Sequence, residues 1–207
     1  MKRKGSLLAL AVSFAVMSEL ACSAPASTAP PPTSSTPAPQ TTSPAVGGTG
    51  FAADGTVAAG EYANEIALGA YRLFWTSTEE TIRVAMQAQA QGWVAVGFQP
   101  GRRMKDADIV FGMMVDGSAA VIDSFSSGDF GPHSADVEQR GTDDLLTSGG
   151  SRTGSTTTFE WERKLVTGDS LDVPVQRGVS VQVIWAYGPS DDAGMRHGTR
   201  GYAQIVP

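Results

Sequence analysis

Short runs in which apolar and polar residues alternate dominate this chain after residue 50. Successive side chains of a β-strand point to opposite faces of a sheet, so a period of two predicts strands with one buried face. The runs 82–88 and 94–98 are the clearest, and 108–115 is a longer apolar run typical of a strand covered on both faces. No comparably long stretch has the 3.6-residue apolar period of an amphipathic helix.

The pattern predicts an all-β fold, an antiparallel β-sandwich or barrel made of many short strands. The predicted strands cover 68–76, 81–88, 93–98, 108–115, 119–125, 156–161, 179–187 and 202–206. The predicted turns are at 54–55, 91–92, 116–117, 149–150 and 188–189, where Gly, Asp and Pro interrupt the apolar runs. A short helical turn is expected around 136–140 or 142–146.

The first 22 residues resemble a bacterial lipoprotein signal. Lys2 to Lys4 are positively charged, 7–17 is an apolar run, and Cys22 stands where cleavage and lipidation would occur. Glu19 departs from the usual aliphatic residue three positions before the cysteine. We therefore expect an exported protein, periplasmic or at the cell surface, anchored by a lipid on Cys22. The alternative is ordinary cleavage near 24–26, which would leave a soluble secreted protein.

Residues 23–50 are rich in Pro, Ser, Thr and Ala and contain no charged residue. Such a composition buries too little apolar surface to offset the entropy of ordering, so it predicts a disordered linker. The folded domain is then expected to cover 51–207.

Charge and cysteine content exclude several functions. The formal net charge is −6 and no basic cluster resembles a nucleic-acid footprint, which argues against nucleic-acid binding and leaves a lipid anchor as the only expected membrane contact. With one cysteine, the chain cannot form an internal disulfide, a multi-cysteine metal site or a covalent c-type heme attachment. We find no sequence motif of a nucleophilic hydrolase, a zinc peptidase or a phosphate-binding loop.

A series of motifs along the predicted domain resembles the DOMON family, in the branch that includes the cytochrome domain of cellobiose dehydrogenase. The motifs are WVAVGF at 93–98, MKDADI at 104–109, VIDSF at 121–125, FEWERKL at 159–165, TGD at 167–169, VIWAY at 183–187 and HGTRG at 197–201. The resemblance implies an immunoglobulin-like β-sandwich. It also implies non-covalent heme b held by Met104 and His197 as axial iron ligands.

Both predicted ligands lie in turn-rich polar segments, where a core methionine or histidine has little reason to be. A thioether and an imidazole are good ligands for low-spin heme iron, and with both axial positions filled such a centre moves single electrons without making bonds. The expected function is therefore electron transfer with a separate redox protein, and not enzyme catalysis. Met113 and Met195 remain rival sulfur donors. The alternative function is a heme-free module that binds a sugar or another small ligand.

Other side chains have expected roles around this site. Trp93 and Trp185 could line the heme or a sugar, and Arg200 could neutralise a heme propionate, as could Arg102, Arg103 and Arg196. His133 is a rival imidazole ligand, although it is expected to be exposed. Arg163 is interpreted as a surface charge on a strand.

Overall fold

The structure, a computed structural model, describes residues 50–207. The predicted signal, the lipidation site at Cys22 and nearly all of the predicted linker lie outside the described residues. Among the described residues, no helix is long and apolar enough to cross a membrane.

Eleven strands and one 3-10 helix make up the described part of the chain. In chain order the strands are β1 (Asn64–Leu68), β2 (Tyr71–Ser77), β3 (Thr81–Ala88), β4 (Val94–Phe98), β5 (Asp108–Val115), β6 (Ser118–Ser126), β7 (His133–Ala135), β8 (Leu145–Thr153), β9 (Thr156–Lys164), β10 (Val181–Tyr187) and β11 (Thr199–Ile205). The 3-10 helix, Asp136–Gln139, follows β7 directly and corresponds to the first of the two helical turns predicted from the sequence.

The strands form two antiparallel sheets, which confirms the predicted β-sandwich. One sheet has the order β1-β2-β3-β9-β8, and the other has the order β11-β10-β4-β5-β6-β7. The hairpin between β5 and β6 turns on Asp116 and Gly117, whose φ angles are 50° and 80°. Two residues with positive φ make the tight turn whose twist matches that of the strands, and Asp-Gly is among its preferred sequences.

The main core lies between the two sheets. Leu73, Val84 and Phe159 of the five-stranded sheet share one buried cluster with Val96 and Val183 of the six-stranded sheet. Every second residue of the predicted runs enters this cluster, as the period of two requires. The side chains of 82, 84, 86 and 88 are all members.

Strand β8 was not predicted, and the expected turn at Gly149 and Gly150 is wrong. Both glycines lie inside this strand, paired with Glu160 and Phe159 of β9. A Cβ on Gly150 would collide with the ring of Phe159, and a Cβ on Gly149 would collide with the carbonyl oxygen of Ala53. The glycines are therefore explained by close packing, and not by a turn.

The segment that precedes β1 packs against the outside of the five-stranded sheet. The amide of Gly55 donates a hydrogen bond of 2.7 Å to one carboxylate oxygen of Glu160, and the hydroxyl of Tyr62 donates one of 2.9 Å to the other. Glu160 is itself fully buried. These contacts attach the segment to β9.

Candidate cofactor-binding face

A second apolar cluster covers the six-stranded sheet on the side that faces away from the five-stranded sheet. We call this side the outer face; its buried members are Trp93, Ala95, Ala107, Ile109, Phe111 and Met113. The cluster arises because β4, β5 and β10 are apolar at both their odd-numbered and their even-numbered positions. Val94 and Val96 therefore point into the sandwich, while Ala95 points outward. A sheet that is apolar on both faces needs a cover on each of them.

Two loops approach the outer face from opposite ends of the sheet. The loop 99–107 joins β4 to β5, and the loop 188–198 joins β10 to β11. Because β10 runs antiparallel to β4, with Val183 opposite Phe98 and Tyr187 opposite Val94, the two loops leave the sheet at opposite ends. Met104 lies in the first loop and His197 in the second.

The loop that carries Met104 is tightly turned. Arg103 and Asp106 have φ angles of 61° and 63°, and the amide of Gly101 donates a hydrogen bond of 2.7 Å to the carbonyl of Lys105. The turn leaves Met104 half-buried between exposed neighbours. The hydroxyl of Tyr202, on β11, lies 3.5 Å from the carbonyl oxygen of Arg103. The loop therefore reaches across the sheet to its edge strand.

His197 lies at the start of the same edge strand. The amide of Gly198 donates a hydrogen bond of 3.0 Å to Tyr187, and the Nε2 atom of His197 is 3.4 Å from a guanidinium nitrogen of Arg200. An open depression of about 470 Å³ is lined by residues 196–200. Burial, followed by the charge of Arg200, lowers the pKa of His197. The imidazole is thus favoured in the neutral form that can bind a metal.

A second histidine faces the same surface. His133 is half-buried and not exposed as predicted, because its ring lies 5.6 Å from that of Phe111 and its Nδ1 atom is 3.3 Å from Ser126 Oγ. Burial, followed by the charge of His197, lowers the pKa of His133. The sequence analysis named His133 as a rival imidazole but placed it on the surface, because β7 is too short to show a period.

The two candidate tryptophans point to opposite faces of the six-stranded sheet. Trp93 is 3% exposed in the floor of the outer face, where its indole Nε1 donates to the carbonyl of Met195 at 3.3 Å. Trp185 instead packs against the core between the sheets and stacks on Tyr71 with ring centroids 5.0 Å apart. The expectation that Trp185 lines the site is wrong. Trp185 is two residues after the core residue Val183 in β10, so both side chains point into the sandwich.

Basic side chains surround the outer face. Arg200 projects from β11 opposite Ala186, on the same side of the sheet as the floor. Arg102 forms an ion pair of 3.2 Å with Asp129, and the Arg103 guanidinium lies 4.2 Å from the ring centre of Phe130. These contacts join the loop 99–107 to the loop 127–132, beside His133. Arg196 lines the depression at His197.

The donor set and the surface fit a heme. The loops that carry a thioether and an imidazole leave the sheet at its two ends, and exposed guanidinium groups are available for the carboxylates of a heme. At the centre of the floor, Gly97 lies between the side chains of Ile109 and Ile184. A Cβ on Gly97 would come within 2.9 Å of Ile109. Met113 and Met195, the rival sulfur donors, lie in the floor and in an exposed part of the loop 188–198, respectively.

Comparisons with known proteins found similar sequences and solved structures. The mouse (Mus musculus) protein named DBH-like monooxygenase protein 1 is 29% identical over 147 residues, which are 67% of this chain and 23% of that protein. The cytochrome b domain of pyranose dehydrogenase from Coprinopsis cinerea covers 65% of this chain and 74% of its own, with 17% identity and a TM-score of 0.44. The cytochrome domain of Myriococcum thermophilum cellobiose dehydrogenase covers 66% and 74%, with 10% identity and a TM-score of 0.47.

The chain thus spans about a quarter of the length of its mouse relative. The family model of the DOMON domain matches residues 67–188, from the end of β1 to just beyond β10. That range includes Met104 and most of both sheets, and it is more than half of the chain. The chain belongs to the DOMON domain family.

Proposed function

We propose that this domain binds heme b without covalent attachment and exchanges single electrons with a separate redox protein. Met104 and His197 are the proposed axial ligands. Bound heme supplies a one-electron iron couple, and Met/His ligation tends to raise its reduction potential. The protein's part is to hold the two ligand atoms, to bury the ring edge on the outer face and to keep water away.

One observation carries the proposal. Met104 and His197 belong to loops from opposite ends of the sheet, yet both loops touch side chains of β11 that are two residues apart. Tyr202 contacts the carbonyl of Arg103, and Arg200 contacts the ring of His197. Two ligands on loops that come to one apolar face from opposite ends could bind a heme between them.

The charges on this face support the same assignment. The lowered pKa of His197 keeps its imidazole neutral at pH 7, so that a nitrogen lone pair is available for iron. Arg200 then has two uses. Its charge disfavours imidazolium, and its free guanidinium nitrogens can donate charge-assisted hydrogen bonds to a propionate.

The two tryptophans that were predicted to line a sugar do not support a sugar-binding module on this face. Glycan sites commonly use accessible aromatic rings. Trp93 is buried beneath the loop 188–198, and Trp185 faces the core.

The domain is proposed to be an electron carrier and not itself an enzyme. The monooxygenase in the mouse relative's name describes a protein of which this chain spans 23%. We further propose that the domain is exported and held at the periplasmic or cell surface by a lipid on Cys22. Its redox partner is then expected to be exported as well.

The test is titration of the purified chain with hemin, followed by absorbance. Wild type should give a saturable one-to-one complex with a sharp low-spin spectrum in both oxidation states. Met104→Ala and His197→Ala should each lose the low-spin spectrum, whereas the matched controls Met195→Ala and His133→Ala should keep it. A wild-type chain that stays folded and does not bind hemin would refute the proposal. Controls that fail while Met104→Ala keeps its spectrum would refute the ligand assignment.

A further inference from the structure

A group of buried aspartates lies on the other side of the six-stranded sheet from the outer face. Asp108 begins β5, Asp123 is in β6 and Asp172 follows β9. They are at most 7% exposed. One carboxylate oxygen from each lies within 4.8 Å of the others. Asp108 has the parity of the core residue Val110, so the cluster faces into the sandwich.

Arg163, in β9, provides part of the compensation for these charges. It is 1% exposed, and its guanidinium lies 2.6 Å from Asp108 Oδ2 and 3.0 Å from Asp172 Oδ1. The expectation that Arg163 is a surface charge is therefore wrong. The ion pairs use one oxygen of each carboxylate. Asp108 Oδ2 also accepts the amide hydrogen of Val173 at 2.9 Å.

Several carboxylate oxygens of this region have no hydrogen-bond partner. Asp108 Oδ1 and Asp123 Oδ1 are buried without one, and so are both oxygens of Asp136, a residue that is 1% exposed. The other oxygen of Asp123 accepts only the amide hydrogen of Asp144, at 3.0 Å. Buried carboxylates normally accept several hydrogen bonds or bind a cation, since an unpaired buried charge is very costly.

The charge balance points the same way. Three aspartates, 108, 123 and 172, act on one guanidinium, and Asp136 adds a fourth carboxylate that interacts with the other three. Asp144 and Asp169 add further negative potential at Asp172 and Asp136, respectively. A single arginine cannot neutralise four carboxylates, so the cluster needs either protons or another cation.

We propose that Asp108, Asp123 and Asp172 bind a calcium ion beside Arg163, with Asp136 as the nearest further carboxylate. The donors are all carboxylate oxygens, which hard cations prefer. Oxygens on opposite sides of a calcium ion are ~5 Å apart and those around magnesium are ~4 Å apart, from their usual bond lengths. The three oxygens lie within 4.8 Å of one another, close enough for one calcium ion to contact all of them.

The test uses the full chain freed of metal with a chelator, then titrated with CaCl₂ by calorimetry and thermal unfolding at pH 7.5. One calcium ion should bind per chain, and the melting temperature should rise by several degrees. Asp123→Asn should fold, because it removes a buried charge, and should weaken calcium binding by at least tenfold. The control Glu65→Gln removes an exposed carboxylate that pairs with Arg72 and should bind calcium like wild type.

Three results would overturn the site. They are no calcium binding by wild type, equal binding by Asp123→Asn and wild type, or stability that depends on pH and not on calcium. If Asp123→Asn does not fold, Asp136→Asn serves instead and should weaken calcium binding less strongly. None of these measurements requires heme, so they are independent of the proposed electron-transfer function.

Discussion

The hydroxyl of Tyr202 lies 3.5 Å from the carbonyl oxygen of Arg103, the residue that precedes Met104. This contact links the loop 99–107 to the edge strand that begins beside His197. The two proposed ligands are 93 positions apart in the sequence, yet they border the same face of the same sheet. The contact is long and solvent-exposed, so it orients the loop weakly.

Tyr202→Phe should therefore have a small effect on heme retention. Removal of one hydrogen bond costs about 0.5–1.5 kcal/mol, which corresponds to a roughly twofold to tenfold faster loss of heme. The rate of heme transfer to an excess of apomyoglobin measures this. The spectrum should stay low-spin, since both ligands remain. A variant that becomes high-spin would show that Tyr202 does more than position the loop.

Arg163→Leu should strongly destabilise the domain. It leaves Asp108 and Asp172 buried without their cation, and breaking a buried ion pair in this way costs about 3–5 kcal/mol. Chemical denaturation measures the free energy of unfolding. The neighbouring Lys164 is exposed at the end of β9, and Lys164→Ala should change stability by less than about 0.5 kcal/mol. A loss below about 1 kcal/mol for Arg163→Leu would contradict the buried network.

The substitution Asp136→Asn should stabilise the native state relative to wild type, and this stabilisation should increase as the pH rises. The pKa of Asp136 is raised to about 8 in the folded chain, against 3.8 for an ordinary aspartate. Between these values the native state binds a proton that the unfolded state has released, so raising the pH destabilises the native state. Asparagine cannot ionise, so the variant does not lose stability in this way as the pH rises.

Unfolding of metal-free wild type and Asp136→Asn should be measured at several values between pH 5 and pH 8. The stability difference should shift steadily in favour of the variant over this range. A constant difference would mean that Asp136 does not titrate there. Calcium should reduce the shift if the proposed ion neutralises the cluster.

Gly150→Ala tests the explanation of β8. The added methyl group would collide with the ring of Phe159, which is fully buried in the core. Overpacking of this kind costs about 1–3 kcal/mol. Gly50→Ala is the control, because a Cβ there meets no atom within 4 Å. Equal stability of Gly150→Ala and wild type, measured by thermal unfolding, would refute the packing argument.

Much of the fold was predictable because alternation of apolar residues reports directly on burial. The predicted runs 81–88 and 108–115 coincide with β3 and β5. Strand β8 was missed because its glycines are there to admit Phe159 and Ala53, contacts between residues far apart in the sequence. Strand β7 has three residues, too few to show a period.

The errors at individual residues have a common physical origin. Arg163 follows Phe159 and Trp161 at the same parity of β9, so it belongs to the buried face. Its charge suggested the surface, but the aspartates that pair with it come from β5 and from the segment after β9. Trp185 was assigned to the site by residue type, whereas its parity places it in the core. In both cases alternation was a better guide than side-chain chemistry.

The most direct test of the central claim is the far-red absorption spectrum of the heme-loaded ferric chain. A charge-transfer band between methionine sulfur and iron should be present in wild type and in Met195→Ala, and absent in Met104→Ala. Loss of the imidazole in His197→Ala should also abolish the low-spin signal. A wild-type spectrum without the sulfur band, or a Met104→Ala spectrum that retains it, would contradict the assignment of Met104 as an axial ligand.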